Sequence, residues 1–266
     1  MTNIAVFGAN GRMGKALLEA TLETDNVHLS AALVREGHPL INQQISHFIN
    51  NAATDTAFSS ETSLPTGTDV AIDFTLPAGM KNHLAYAVEN NIALVIGTTG
   101  LTKAEFAQLE DAARIIPIVF SRNYSVGINL LENLVQIVAK TLSDDVDIEI
   151  FEAHHKHKID APSGTALMIG EAIAKAKNWQ HEDVAKFDRS QDESAKSQKE
   201  IGYSVLRGGD IVGEHTAYFA MDGERLELTH KASSRMTFAK GAVRAAAWLK
   251  NKPAGLYSMQ DVLGLA

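Results

Sequence analysis

The turn Gly8-Ala9-Asn10-Gly11-Arg12-Met13-Gly14 constrains this chain more than any other segment. It stands directly after the apolar run Ile4-Ala5-Val6-Phe7 and opens Met13 to Leu22, where apolar residues recur at helical spacing. A strand that ends in a glycine-rich turn and leads into a helix is the first step of a doubly wound parallel sheet. Glycines at such a turn allow it to be tight, let a pyrophosphate approach the backbone, and let the helix pack closely on the sheet. The helix start adds N–H donors and a positive dipole. The spacing is G-x-x-G-x-x-G, with Asn10 where the commoner fingerprint has its second glycine. A plain strand–helix turn would show the same glycines, but the position at residue 8, straight after an apolar strand, favours dinucleotide binding.

The first half keeps this rhythm. Val27 to Val34, Val70 to Phe74, Ala93 to Ile96 and Ile118 to Phe120 read as strands, with helices near 78–89 and 103–114 between them. Apolar strands alternating with helices indicate a parallel sheet covered on both faces. His38 to Thr68 is polar and weakly patterned, a loop with at most one short helix. The second half differs. A helix near 126–142 leads to a strand at 147–153, a His/Lys loop and a helix near 165–177; Gln180 to Lys199 is charge-dense and reads as an exposed excursion. Tyr203–Leu206, Ile211–Phe219 and Arg225–His230 follow as strands separated by short turns, which suggests antiparallel pairing. The last helix, 238–250, is expected to return to the first domain. The expected fold class is α/β: a Rossmann-like doubly wound parallel sheet plus a second α+β domain with a mostly antiparallel or mixed sheet. The expected domains are 1–125 with 237–266, for the dinucleotide, and 126–236, for substrate binding and oligomerisation.

Composition narrows the chemistry. With 266 residues and 45% hydrophobic content the chain can bury cores for two modest domains. It has no Cys, which excludes disulfides, thiolate nucleophiles and Cys-ligated metals. A net charge of −8 disfavours a nucleic-acid partner, and no apolar run nears the ~20 residues of a membrane span. With no secretory leader pattern at the N-terminus, a soluble cytoplasmic protein is expected.

Two loops bear on a cofactor. Gly97-Thr98-Thr99-Gly100 and Ser121-Arg122-Asn123-Tyr124-Ser125 each follow a strand, at the edge where open α/β sheets bind ligands. Capping of the next helix by Thr99 or Thr102 is the plainer alternative. The second strand ends in Val34-Arg35-Glu36. Val34 cannot accept a hydrogen bond from a ribose, whereas Arg35 offers a fork matched to a 2′-phosphate. A solvated Arg35 with Glu36 on the ribose is the other reading.

The most distinctive chemistry lies in Glu152-Ala153-His154-His155-Lys156-His157-Lys158-Ile159-Asp160-Ala161-Pro162-Ser163-Gly164-Thr165. Histidine titrates near working pH and suits proton transfer. Lysines beside a helix start suit a ligand with carboxylates. Three histidines could also ligand zinc, but there is no H-E-x-x-H, and His154 and His155 would point to opposite faces of a strand. A solvated charged loop is the bland alternative. The remaining histidines, His28, His38, His47, His83, His181, His215 and His230, are scattered and receive no catalytic role.

These segments together resemble the dihydrodipicolinate reductase family of lysine and diaminopimelate biosynthesis. The resemblance covers nearly the whole chain. It runs through Val6–Gly14, Ile72-Asp73-Phe74-Thr75, Val95–Gly100, Asn123–Gly127, Glu152–Thr165, Arg207–His215 and His230–Arg235. It implies hydride transfer from NADPH or NADH to a small cyclic dicarboxylate, with loss of water. It implies His154 as catalytic acid/base and Lys158 as proton donor. Substrate contacts would be His155, Lys158, Ser163, Gly164 and Thr165, with Thr99 from the other domain. Cofactor contacts would be Gly8, Ala9, Asn10, Gly11, Arg12, Met13, Gly97, Thr98, Thr99, Ser121, Arg122, Asn123 and Tyr124, alongside Arg35. No metal is implied, and a homotetramer built through the second sheet is. Family members often carry an acidic residue where Val34 stands, and Arg where Lys156 stands. A non-catalytic dinucleotide sensor and a histidine-based metallohydrolase remain as alternatives of other classes; a thioester-forming dehydrogenase is disfavoured because it needs a Cys.

Overall fold

In chain order the elements are β1 (Thr2–Phe7), α1 (Arg12–Glu23), β2 (Val27–Val34), β3 (Phe58–Ser60), β4 (Val70–Asp73), α2 (Pro77–Glu89), β5 (Ala93–Ile96), α3 (Lys103–Ala113) and β6 (Pro117–Phe120). Then come α4 (Val126–Thr141), β7 (Asp147–His154), α5 (Gly164–Ala176), α6 (His181–Val184), β8 (Ala185–Lys186), β9 (Ile201–Arg207), β10 (Gly213–Met221) and β11 (Glu224–Ala232). The chain closes with α7 (Met236–Leu249), β12 (Gly255–Tyr257) and α8 (Met259–Leu263). This computed structural model describes residues 1–49, 52, 54–62 and 64–265. It falls into two compact units, Met1–Val126 with Arg235–Ala266, and Gly127–Ser234.

The first unit is built on a seven-stranded sheet in the order β12-β6-β5-β4-β1-β2-β3. Every neighbouring pair is parallel. The order reverses between β1 and β4, which makes the C-terminal ends of those strands the switch point where ligands bind in open α/β sheets. Strands such as Val70–Asp73 and Ala93–Ile96 are buried at every position because helices cover both faces. Leu17, Leu18, Ala242 and Val243 pack one face, while Met80, Leu84 and Leu109 pack the other. Each large apolar side chain so buried contributes about 1.5–3 kcal/mol.

The opening turn explains its glycines. Gly8 sits at φ +62°, and a Cβ on Gly14 would lie 2.2 Å from the Gly8 carbonyl oxygen. Glycine at 8 avoids the left-handed penalty, and at 14 it lets α1 seat on the turn. Among its described residues, the segment His38–Thr68 holds one 3₁₀ turn, Ile45–His47, and the short edge strand β3. Asn50, Asn51, Ala53 and Ser63 within that segment lie outside the described residues.

The second unit is a five-stranded mixed sheet, ordered β11-β10-β7-β9-β8. Helices α4 and α5 share a core with it, where Ile128, Leu131 and Val135 meet Ile148, Ile150, Ile169, Ile173 and Phe219. The β10–β11 hairpin turns at Asp222-Gly223 and is antiparallel, as the spacing suggested. The expected antiparallel pairing of β9 with β10 is not found. Strand β7 lies between them, parallel to β9 and antiparallel to β10. The physical reason is burial: β7 alternates buried apolar residues and takes the centre, which pushes the later strands to either side. The charge-dense 180–199 segment is mostly exposed, yet it supplies α6 and β8. Arg189 ties it down through Glu149, at 2.6 Å, and through Glu200.

Candidate active site

In the first unit, helix α1 begins at Gly11 with no side-chain cap and no acidic residue in its first turn. Its leading N–H groups therefore have no capping side chain of their own, the condition in which a helix start can take an anion. At the end of β5, the Thr98 side chain is buried, and its Oγ1 has no hydrogen-bond partner among the described residues. A buried orphan hydroxyl is a place where a ligand atom is expected. Both observations fit a bound dinucleotide. Thr99 is exposed beyond it, and Thr102, not Thr99, caps α3 in a reciprocal box with Glu105.

The Tyr124 side chain is placed differently from a cofactor contact. It is buried, and its hydroxyl donates to the Ile96 carbonyl at 2.9 Å and the Val119 carbonyl at 3.0 Å. It therefore clamps the ends of β5 and β6 and shapes the loops that follow them. Ser121 and Asn123 close the second loop on itself, as Ser121 Oγ donates to the Asn123 carbonyl and the Ser125 N–H donates to Asn123 Oδ1, while Arg122 is exposed. At the end of β2, Val34 is fully buried while Arg35 and Glu36 are both exposed, so the valine side chain is withdrawn from any ribose substituent. Asn10 reaches His38 at 3.2 Å across the same corner.

A buried ion cluster stands beside this edge. His83 contacts Asp73 through Nδ1 at 2.7 Å and Glu61 through Nε2 at 3.2 Å, and it stacks on Phe7. Burial lowers the His83 pKa, but the hydrogen bonds and charges of Asp73 and Glu61 outweigh it, leaving a net raised value. The other Asp73 oxygen accepts from the Thr75 N–H and Oγ1, which fixes the turn after β4 against Gly8.

The second unit holds the His/Lys chemistry. Side chains alternate along β7, so Ile148 and Ile150 share a face with Glu152 and His154. The apolar row thus ends in a polar pair at the C-terminal end of the strand. His154 Nδ1 lies 2.6 Å from Glu152. Arg207, the cross-strand neighbour of His154 on β9, grips both Glu152 oxygens at 2.7 Å, and Ser163 N–H donates to one of them at 2.9 Å. Burial raises the Glu152 pKa, but these donors overcome it and hold it at about 2, so the carboxylate stays charged. His215, opposite Glu152 on β10, sits edge-on to His154 with ring centroids 5.1 Å apart, and its Nε2 meets Ser163 Oγ at 3.0 Å. Burial, with His154 nearby, drives its pKa down to about 3, which keeps it neutral. The Nε2 edge of His154 faces Gly213, where a Cβ would lie at 3.0 Å.

Ser163 caps α5 by accepting from the Ala166 N–H, and the exposed Gly164 and half-buried Thr165 form the helix start. Lys158 pairs with Asp160 at 2.8 Å. Burial raises the Asp160 pKa, but Lys158 and the Gly164 N–H outweigh it and hold the carboxyl below its ordinary range. His155 and His157 lean toward each other, with ring centroids 6.2 Å apart, and Lys156 and His157 are exposed. Among the described residues no three His, Asp or Glu converge as a metal-ligand set.

The structure thus brings His154, Lys158, Ser163, Gly164 and Thr165 into one unit, in which His154 and Ser163 share the Glu152 carboxylate, and places the glycine-turn, β5-loop and β6-loop residues in the other. Glu152, Arg207 and His215 were missed as site residues. The first was legible from its i, i+2 relation to His154. The other two reach the site only through strand register, which no local pattern displays.

Family models for the N-terminus and the C-terminus of dihydrodipicolinate reductase match residues 2–124 and 127–263. The chain is 66% identical over 262 residues to a 4-hydroxy-tetrahydrodipicolinate reductase of Pseudoalteromonas translucida (strain TAC 125), covering 98% of each. It is 51% identical over 267 residues to the enzyme of that name from Pseudomonas fluorescens (strain Pf0-1), covering 100% of each. Its fold is similar to that of a dipicolinate-bound dihydrodipicolinate reductase from Paenisporosarcina sp. TG-14, with a TM-score of 0.75 at 24% identity and 98% coverage of both chains.

Proposed function

The chain belongs to the dihydrodipicolinate reductase family and reduces 4-hydroxy-tetrahydrodipicolinate to tetrahydrodipicolinate with NADH or NADPH in lysine biosynthesis, and we propose that His154 and Lys158 manage the proton in that reaction. One hydride and one proton are added to the ring and one water leaves. The nicotinamide, when bound, supplies the hydride, and the protein supplies orientation and electrostatics. The observation that carries the reading is the Glu152 carboxylate, which touches both the His154 ring at 2.6 Å and the Ser163 N–H at the start of α5 at 2.9 Å. The acid–base group and the carboxylate-binding helix start are thereby parts of one hydrogen-bonded unit.

The division of roles follows from chemistry. Lys158 is a mobile ammonium that meets a substrate carboxylate and donates a proton. In the structure its partner is the Asp160 carboxylate at 2.8 Å, and on this reading a substrate carboxylate replaces that contact. His155, Ser163, Gly164 and Thr165 offer further donors, those at the helix start reinforced by the positive end of the α5 dipole. Gly8 to Met13, Gly97 to Thr99, and the backbone of Ser121 to Tyr124 hold the dinucleotide, with Arg35 on the adenosine side. A cytoplasmic homotetramer is the assembly we assign, supported by apolar exposure of Val205, Leu206 and Leu226 on the second sheet, at 39%, 41% and 40%.

The test is His154→Gln. Turnover should fall by about 10²–10⁴-fold, the usual value of positioned proton transfer. NADPH affinity, read by cofactor fluorescence, should stay within about twofold of the native protein because the glycine turn is untouched. Near-normal turnover would remove His154 from the chemistry.

A further inference from the structure

We propose that Glu152 is a positioning residue that locks His154 into the Nδ1–H tautomer, so that Nε2 is the atom that exchanges the catalytic proton. The inference rests on the reading of His154 given above. The geometry is one-sided. A charged carboxylate has no proton to give, so the contact of 2.6 Å requires His154 Nδ1 to donate. The carboxylate cannot turn away, because Arg207 holds both its oxygens and Ser163 N–H holds one. Glu152 is itself 0% exposed, so no water competes for it. The opposite edge of the ring is where the chain makes room: a Cβ on Gly213 would lie 3.0 Å from Nε2, and glycine there leaves that space unfilled. His215, buried and neutral, walls the ring without adding a charge.

Arg207 has a second part in this arrangement. It neutralises Glu152, which would otherwise place a bare negative charge beside a site for a dicarboxylate. Its Nη2 also donates to the Asp160 carbonyl at 2.6 Å. One guanidinium thus braces the tautomer-setting carboxylate and the loop that carries Lys158.

The geometry also dictates what Glu152→Gln does. Where the native carboxylate has Oε1, two donors converge, from Ser163 N–H and Arg207. Where it has Oε2, one donor is the fixed Arg207 and the other is the ring. A glutamine oxygen therefore takes the first place, and its NH₂ faces His154. The ring must then accept at Nδ1, and its proton moves to Nε2. The variant keeps shape and burial and inverts the tautomer, which is known to be costly in an oriented histidine.

The experiment is ¹⁵N–¹H correlation NMR of the histidine rings at about pH 8.5, where an ordinary imidazole is neutral, combined with steady-state kinetics. Native protein should show His154, assigned by loss of its signals in His154→Gln, as the Nδ1–H form. Glu152→Gln should show it as Nε2–H, with kcat lowered on the order of 10²–10³-fold and the KM for NADPH unchanged. Glu152→Asp, which keeps the acceptor charge, should recover part of kcat. A native His154 in the Nε2–H form overturns the inference, and so does a Glu152→Gln enzyme with kcat within about threefold of native. If Glu152→Gln folds poorly, the native spectrum still decides the tautomer. A fully active His154→Gln would instead sink the catalytic reading and leave the tautomer assignment standing.

Discussion

Replacing Gly213 with Ala tests whether the Nε2 edge of His154 faces the reacting atoms. The added Cβ would lie 3.0 Å from Nε2, 3.4 Å from Cδ2 and 3.8 Å from the His215 ring. Comfortable contact between such atoms needs about 3.5 Å or more, so ring or strand must yield by roughly half an ångström. The ring has little freedom, since Glu152 holds Nδ1 at 2.6 Å and His215 lies against it. A displacement of ~1 Å at a reacting group costs about 10²-fold, so a smaller shift with partial blockage of Nε2 should lower kcat about 10–50-fold. Overpacking at a buried site should cost about 1–3 kcal/mol of stability. The KM for NADPH should not move, because the glycine turn lies in the other unit. Absorbance kinetics and a thermal melt measure all three quantities. A variant that melts lower yet turns over normally would show that Nε2 does not face the chemistry.

Arg35→Ala should raise the KM for NADPH several-fold, about 1–1.5 kcal/mol for an exposed charge-assisted contact, and leave that for NADH nearly unchanged; an equal effect on both cofactors would refute 2′-phosphate recognition. Pyridine-2,6-dicarboxylate should compete with substrate and weaken with salt, while the 2-monocarboxylate binds more weakly, because one set of donors stays unpaired. Thr165→Val should weaken the dicarboxylate and spare NADPH; equal inhibition by both pyridines would refute a two-ended anchor. His83→Leu should cost about 3–5 kcal/mol, since it strands the buried Asp73 carboxylate. Because the folded His83 pKa is raised, its stabilisation is complete below the ordinary histidine value and is lost as pH rises through the folded one. The melting temperature of native protein should therefore decline across that window, and the decline should be absent in His83→Leu; identical slopes would assign the effect elsewhere.

Much of the fold was legible in residue order, because it rests on local chemistry. An apolar strand, a glycine turn and a helical repeat are written within the first 23 residues, and Gly8 and Gly14 sit where backbone geometry admits no side chain. The Ser163 cap and the run from Glu152 to Thr165 were equally visible, since capping and strand alternation act over two to four residues. The central place of β7 was not visible. Sheet order depends on which strand buries most surface after all have formed, and consecutive β9 and β10 were separated for that reason. Register then decided the partners of His154. Arg207 lies 53 positions away in the chain and His215 lies 61 away, and both reach Glu152 and His154 only because β9 and β10 flank β7 in one particular alignment. Likewise Tyr124, one of a string of loop residues by sequence, turned inward because two strand-end carbonyls needed a donor away from water. Short-range pattern named the acid–base segment, and only long-range packing supplied the carboxylate, guanidinium and neutral imidazole that orient it.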